Sequence, residues 1–238
     1  MIFGAILAGG TGSRMNIADM PKQFLKLGDK PIIIHTLEKF MLCTDIEKIF
    51  IGVHPRWLMH MEDLISRNVK FRMGDIYVTE GGPDRNSTIM NIIDGIEERF
   101  GQSKDNYIIT HDSVRPFVTA RILKDNVDTV KKHDACDTCV EATDTIVASQ
   151  HGSIIESIPD RRIMYQGQTP QSFKIDLLKR LYGDLFPEEK KNLTDACKIC
   201  VVRDIPVYIV KGEVSNFKIT TVSDYRIAQA MVGRDMLD

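Results

Sequence analysis

Short apolar runs alternate with amphipathic stretches along most of this chain, and that alternation leaves few folds open. Phe3 to Leu7, Lys48 to Val53, Ile76 to Val78, Tyr107 to Thr110, Cys136 to Ala142 and Val207 to Val210 read as strands. Pro31 to Phe40, Pro55 to Ser66, Asn86 to Phe100, Thr119 to Lys132, Ile175 to Leu185, Thr194 to Val202 and Ser223 to Val232 read as helices. In the third of these, Ile89, Ile92, Ile93 and Ile96 recur at helical spacing. Strands joined through helices predict an α/β fold, a mainly parallel sheet with helices on both faces. The rhythm breaks once. Thr145 to Ser157 holds two short β-like runs around His151-Gly152, which predicts a hairpin arm rather than another strand–helix unit.

The chain has 238 residues, of which 43% are hydrophobic and 27% charged, so a single domain over residues 1–238 with a substantial core is expected. Intrinsic disorder is excluded by the same numbers. The net charge is −2, which provides no basic field for nucleic acid or an anionic membrane. No apolar run reaches the ~18 residues of a spanning helix. Met1 to Gly10 lacks a positive stretch and turns into glycines at once, so a secretory leader is not expected. The five cysteines are an odd number in a chain large enough to fold without staples, so reduced thiols and a cytoplasmic location are expected.

Ligands on parallel sheets bind beyond the strand C-termini. Four polar or glycine-rich segments follow strands here: Ala8 to Lys22, Gly81 to Thr88, His111 to Pro116 and Gly212 to Lys218. In the first, Gly9, Gly10 and Gly12 let backbone N–H groups approach an anion closely. Arg14 and Lys22 add two cations to the same mouth, which is phosphate-binding chemistry. A Walker A loop is absent, and Gly10-Thr11-Gly12-Ser13-Arg14-Met15 lacks the third glycine of a dinucleotide fingerprint.

These residues carry a resemblance. Leu7-Ala8-Gly9-Gly10-Thr11-Gly12-Ser13-Arg14-Met15 with Pro21-Lys22-Gln23-Phe24 resembles the signature of sugar-phosphate nucleotidyltransferases. More narrowly, it resembles the cytidylyltransferases that make CDP-methylerythritol or CDP-ribitol. Gly81 to Thr88, His111 to Pro116, Gln168 to Phe173 and Asn216 to Thr220 resemble further blocks of that family, in the same order. Thr194-Asp195-Ala196-Cys197-Lys198, His111 to Phe117 and Tyr165-Gln166-Gly167-Gln168 are closer to the ribitol 5-phosphate members than to the methylerythritol 4-phosphate members.

The resemblance implies a Rossmann-like nucleotide-diphosphosugar transferase fold and transfer of a cytidylyl group from CTP to ribitol 5-phosphate, with Mg²⁺ or another divalent cation. It implies that Arg14 and Lys22 are catalytic cations. Leu7, Ala8, Gly9, Gly10, Gly82, Asp84, Arg85, Asn86, Ser87, Thr88 and Ser113 would bind the nucleotide, with Ser87 or Thr88 offering a hydroxyl to the base. Arg161, Lys218, Asp112, Arg115, Thr145 and Thr169 would position the sugar phosphate. Asp112 has three open roles: a Mg²⁺ ligand, an acceptor for sugar hydroxyls, or an ion pair with Arg115. A dimerisation arm at about 137–162 would carry Thr145 and Arg161 into a partner's site in a homodimer. A ribulose-5-phosphate reductase is an implied functional partner. The alternatives are the methylerythritol 4-phosphate enzyme and a nucleotide-binding regulator without turnover.

Two C-x-x-C pairs, Cys136/Cys139 and Cys197/Cys200, lie too far apart for an ordinary zinc site and read as buried, inert thiols. His111 sits inside a motif but reads as a hydrogen-bonded structural residue.

Overall fold

A computed structural model describes residues 1–10 and 20–234 of the chain. Apart from a two-residue antiparallel ribbon, Lys26–Leu27 with Lys30–Pro31, the strands are β1 (Ile2–Ala8), β2 (Lys48–Val53), β3 (Ile76–Glu80), β4 (Tyr107–Asp112), β5 (Ala135–Glu141), β6 (Tyr165–Lys174) and β7 (Tyr208–Lys211). The α-helices are α1 (Ile32–Leu42), α2 (Leu58–Asn68), α3 (Arg85–Phe100), α4 (Ala120–His133), α5 (Ile175–Gly183), α6 (Pro187–Lys191), α7 (Cys197–Val201) and α8 (Val222–Arg234).

Among the described residues the strands form a seven-stranded sheet in the order β3-β2-β1-β4-β6-β5-β7. Every strand of this sheet runs in one direction except β6, which is antiparallel to both β4 and β5. Side chains of β1 alternate between the two faces, as a pleated strand requires. Ile2 and Ile6 join a core with Leu37, Phe40, Met61 and Val127 from α1, α2 and α4. Phe3 and Ala5 join the opposite core with Ile89, Ile92, Ile93 and Ile96 of α3 and Leu178 of α5. All four α3 isoleucines are fully buried, so the periodicity read from the sequence marks the face that packs. A third, smaller core places α8 over the chain near the site through Leu27, Val114, Ile219 and Ala228.

Strand β6 is missing from the pattern of apolar runs. Its sequence, Tyr-Gln-Gly-Gln-Thr-Pro-Gln-Ser-Phe-Lys, is poor in strand-forming residues, and proline normally avoids a central strand. Pro170 is tolerated because the ladder breaks there. Gln171 pairs with Asp137 and Gly167 with Cys139, with an irregularity between them. The Pro170 carbonyl accepts instead from the Thr138 hydroxyl at 2.7 Å.

The expected hairpin arm pairs only at one bridge, Ala148 with Ser157. Val147, Ile154, Ile155 and Ile158 stay exposed, so nothing buries a face of the arm, and an isolated two-stranded ribbon has little to hold it. The helix expected from Thr194 begins at Cys197, where the Asp195 carboxylate accepts from the Lys198 N–H at 2.9 Å and stops the turn from extending backwards.

Candidate active site

The four polar segments converge at the C-terminal edge of β1, β3 and β4. They line a cavity of about 340 Å³, walled by Gly9 and Gly10, Lys22, Gly82, Arg85, Asp112 and Lys218 among others. Leu7, Asp84, Thr88 and Ser113 also face it. Arg14 lies outside the described residues.

The first loop is held by Gln23, a residue to which the sequence motif assigns no role. Gln23 is buried, and its amide donates to the carbonyls of Ala8 at 2.8 Å and Gly10 at 3.0 Å. Ala8 itself is buried behind the wall. Pro21 turns the chain into a short 3-10 turn, Lys22 to Phe24, which presents Lys22 to the cavity.

The second loop is set by the start of α3. Asp84 accepts from the Ser87 N–H at 2.8 Å, and Ser87 Oγ accepts from the Asp84 N–H at 3.0 Å, a reciprocal capping box. The Ser87 hydroxyl hydrogen goes to the Asp84 carbonyl at 3.1 Å. Ser87 is therefore a cap and stands outside the cavity wall, as does buried Asn86. Thr88 lines the cavity, with Oγ1 accepting from the Gly82 N–H at 3.0 Å and donating to the Asp84 carbonyl at 2.8 Å. A Cβ at Gly82 would collide with the Ser87 side chain and sit 2.8 Å from its carbonyl carbon, so only glycine fits this close turn.

Asp112, at the end of β4, is the electrostatic centre. Its carboxylate lies 3.0 Å from Lys218 Nζ, 3.3 Å from Arg115 Nε and 3.6 Å from Arg85 Nε. Burial alone would push its pKa up, but Arg85, Lys218 and Arg115 outweigh burial and hold it well below the usual carboxylate range. The pairing with Arg115 considered from sequence is real, but it is one of three. Burial pulls the Arg115 pKa down, and Asp112 opposes that shift. Arg85 keeps both terminal guanidinium nitrogens buried without a hydrogen-bond partner. A buried donor left unmatched costs about 1–3 kcal/mol, so this side chain is set up to receive an acceptor.

Lys218 also faces a second cavity of about 340 Å³, which it shares with Arg115 and with Val140, Glu141, Thr143, Gln166 and Gln168. The two cavities thus meet at Lys218, with Asp112 paired to it. Thr169 lines neither cavity. It is buried, its hydroxyl donates to His111 Nδ1 at 2.8 Å and accepts from the Asp112 N–H at 3.2 Å. His111 Nε2 donates to the Arg115 carbonyl at 3.1 Å, which fixes the tautomer. Desolvation lowers the His111 pKa to about 4, with only partial opposition from its neighbours, so the ring is neutral. Its role is structural, as the sequence suggested.

Thr145 and Arg161 lie on the exposed arm, away from both cavity walls. Arg161 donates to the Thr143 carbonyl at 2.8 Å, which ties the end of the arm to its root beside the second cavity. Beside Gly167 of that cavity, Asp137 is half-buried. Burial first, and then Asp195, push its pKa up to about 7. All five cysteines are buried and unpaired, and burial raises Cys136 and Cys139 to about 12. Among the described residues, no three His, Cys, Asp or Glu side chains cluster as a metal cage.

Three cations around one carboxylate, a glycine turn and two cavities that share Lys218 suit a reaction between two phosphorylated molecules. Fold and site together define a nucleotidyltransferase of the α/β class. The comparisons narrow this further. The family model for 2-C-methyl-D-erythritol 4-phosphate cytidylyltransferase matches residues 2–234, and the chain belongs to that family. It is 52% identical over 235 residues to the ribitol-5-phosphate cytidylyltransferase of Streptococcus pneumoniae serotype 2, covering 99% of this chain and 100% of the relative. Among solved structures, it is similar to the 4-diphosphocytidyl-2C-methyl-D-erythritol synthase of Anaerococcus prevotii, with a TM-score of 0.79 at 25% identity over 98% of this chain and 96% of that one. The Francisella tularensis 2-C-methyl-D-erythritol 4-phosphate cytidylyltransferase shares the fold, with a TM-score of 0.78 at 24% identity over 96% of this chain and 98% of that one.

Proposed function

We propose that the protein transfers a cytidylyl group from CTP to D-ribitol 5-phosphate, giving CDP-ribitol and pyrophosphate. The observation that carries the reading is the 52% identity, over the whole length, to a relative named for ribitol 5-phosphate. The meeting of two cavities at Lys218 is what a two-phosphate reaction requires.

In this reading CTP occupies the first cavity and ribitol 5-phosphate the second. A phosphate oxygen of ribitol 5-phosphate attacks the α-phosphorus of CTP, and the bond to the β-phosphate oxygen breaks as pyrophosphate leaves. The nucleophile is already an anion, so no general base is needed. The difficulty is bringing two polyanions together, and positioning and charge stabilisation supply most of the rate. Lys22 and Arg14 stabilise the charge on the triphosphate. Arg115 and Lys218 orient the incoming phosphate, and Arg85 offers its unmatched nitrogens to an anionic oxygen. Loop backbone at Gly9, Gly10 and Gly82 reads the base.

Mg²⁺ fits the donors present. It characteristically takes one or two carboxylates and leaves its remaining positions to phosphate oxygens and water, and Asp112 is a buried carboxylate on the wall of the first cavity. Asp112 would hold it together with the triphosphate, and its charge would offset that of the phosphate oxygens.

The exposed apolar residues of the arm support a homodimer in which Thr145 and Arg161 serve the partner's site. Ribitol 5-phosphate is a reduced pentose phosphate, so a ribulose-5-phosphate reductase is the expected supplier. CDP-ribitol would feed ribitol-phosphate polymers such as teichoic acids of the cell wall, and such a chain would work in the cytoplasm. No described helix is long and apolar enough to cross a membrane.

Pyrophosphate release with CTP and Mg²⁺, run in parallel with ribitol 5-phosphate and methylerythritol 4-phosphate, tests the reading. Turnover with ribitol 5-phosphate alone is expected. Turnover with methylerythritol 4-phosphate alone would move the protein to isoprenoid synthesis and overturn the substrate assignment.

A further inference from the structure

The cations on the sugar-phosphate side are not held by their own ion pairs alone. Asn216 is fully buried two residues before Lys218, and its amide donates to the Thr169 carbonyl at 2.8 Å and to Gln168 Oε1 at 3.1 Å. Its carbonyl accepts from Arg115 Nη1 at 2.8 Å. The Thr169 hydroxyl donates to His111, and His111 donates back to the Arg115 carbonyl. Asn216, Thr169, His111 and Arg115 therefore form a closed hydrogen-bonded ring of buried residues drawn from three separate parts of the sequence. Gln168 braces the same loop by donating to the Glu213 carbonyl at 2.8 Å.

We infer that Asn216 is a positioning residue: it closes this ring and thereby fixes Lys218 and Arg115 together against Asp112, where the two cavities meet. This rests on the reading that the second cavity takes the sugar phosphate. The warrant is geometric. Asn216 touches β6 by its side chain and Arg115 by its backbone, and it carries Lys218 two positions on. Removing the amide leaves the Thr169 carbonyl and Gln168 Oε1 buried without that donor, and the loop must shift to recover partners or water. The first cavity shares only Lys218 with this loop, so nucleotide binding should be spared.

The test is steady-state kinetics of Asn216→Ala, of Lys218→Ala and of the double variant, with Asn216→Ser (which retains one donor) as the substitute if the alanine variant does not accumulate. The apparent KM for ribitol 5-phosphate should rise about tenfold or more while the KM for CTP stays within about twofold. In the Lys218→Ala background the same substitution should raise the sugar-phosphate KM by a clearly smaller factor than in the wild type, because one of the two cations being positioned is gone and only Arg115 remains. A lower Tm with both KM values and kcat at wild type would make Asn216 merely structural and overturn the inference. An equal rise in both KM values would overturn it too. A second measurement needs no substrate: the ¹³C resonance of reductively methylated Lys218, assigned by its loss in Lys218→Ala, should move in the Asn216 variant. An unmoved resonance would refute the positioning role even where turnover is seen. If the wild-type enzyme uses neither sugar phosphate, the functional reading fails, and the resonance still decides for Asn216.

Discussion

The two cavities have similar volumes and are built in opposite ways. The first is local. Its glycine turn, its proline-led lysine and its capped helix are each set within one short segment, and Asp112 and Lys218 complete the wall. The second is assembled from β5, β6, the root of the arm and the loop before α8, and side chains joining distant residues hold it in place. A site for a nucleotide shared by many enzymes can be made from a portable motif. A site for the variable partner draws on the whole topology.

That contrast can be attacked directly. The largest effect is expected from Lys22→Ala, which should lower kcat about a thousandfold with Tm little changed, by analogy with the loss of one preorganised charge-stabilising donor. Near-wild-type turnover would remove Lys22 from the chemistry. Lys218→Ala should cost about a hundredfold in kcat/KM for the sugar phosphate, with a small change in the KM for CTP. Competition binding of CTP measured by calorimetry would show whether the two cavities separate in this way.

The third expectation concerns stability beside the second cavity. The folded Asp137 carboxyl holds its proton up to about pH 7, whereas the unfolded one releases it near 3.8. The native state therefore binds more protons between these values, so this contribution is complete below the unfolded value and is lost as pH rises toward 7. Asp137→Asn should flatten that slope in urea unfolding and raise stability at pH 8 relative to wild type. An unchanged slope would show that Asp137 is ionised in the fold. The smallest effect is expected at the helix cap of the first cavity. Ser87→Ala should cost about 1 kcal/mol in stability and leave the KM for CTP alone. A large rise in that KM would return Ser87 to the nucleotide site.

The same contrast explains what could be read from sequence. The four segments after strands were legible because glycine turns, caps and flanking cations are local patterns, and all four reach the first cavity. Gln23 could have been found there too, since it follows Lys22 directly in the recognisable block. The second cavity was harder. Strand β6 carries glutamines, glycine and a proline, so nothing in its hydrophobicity announces a central strand. Without β6, the partnerships of Gln168 and Thr169 with Asn216 cannot be drawn. Ser87 and Thr169 show the converse limit. Hydroxyls inside a recognised block looked like ligand contacts, but the structure commits them to the cap and to His111.

The reversed direction of β6 has a further consequence. Because β6 runs against β5, the end of one and the beginning of the other lie side by side at the catalytic edge. The chain leaves the sheet at Glu141 and returns at Tyr165 without crossing it. Everything between is a detour with adjacent ends. Its length and sequence can change while the strands stay in register, which makes residues 142–164 an exchangeable module rather than part of the frame. Swapping this segment between relatives, or replacing it with a short turn, is a way to alter pairing between copies and access to the second cavity without redesigning the sheet.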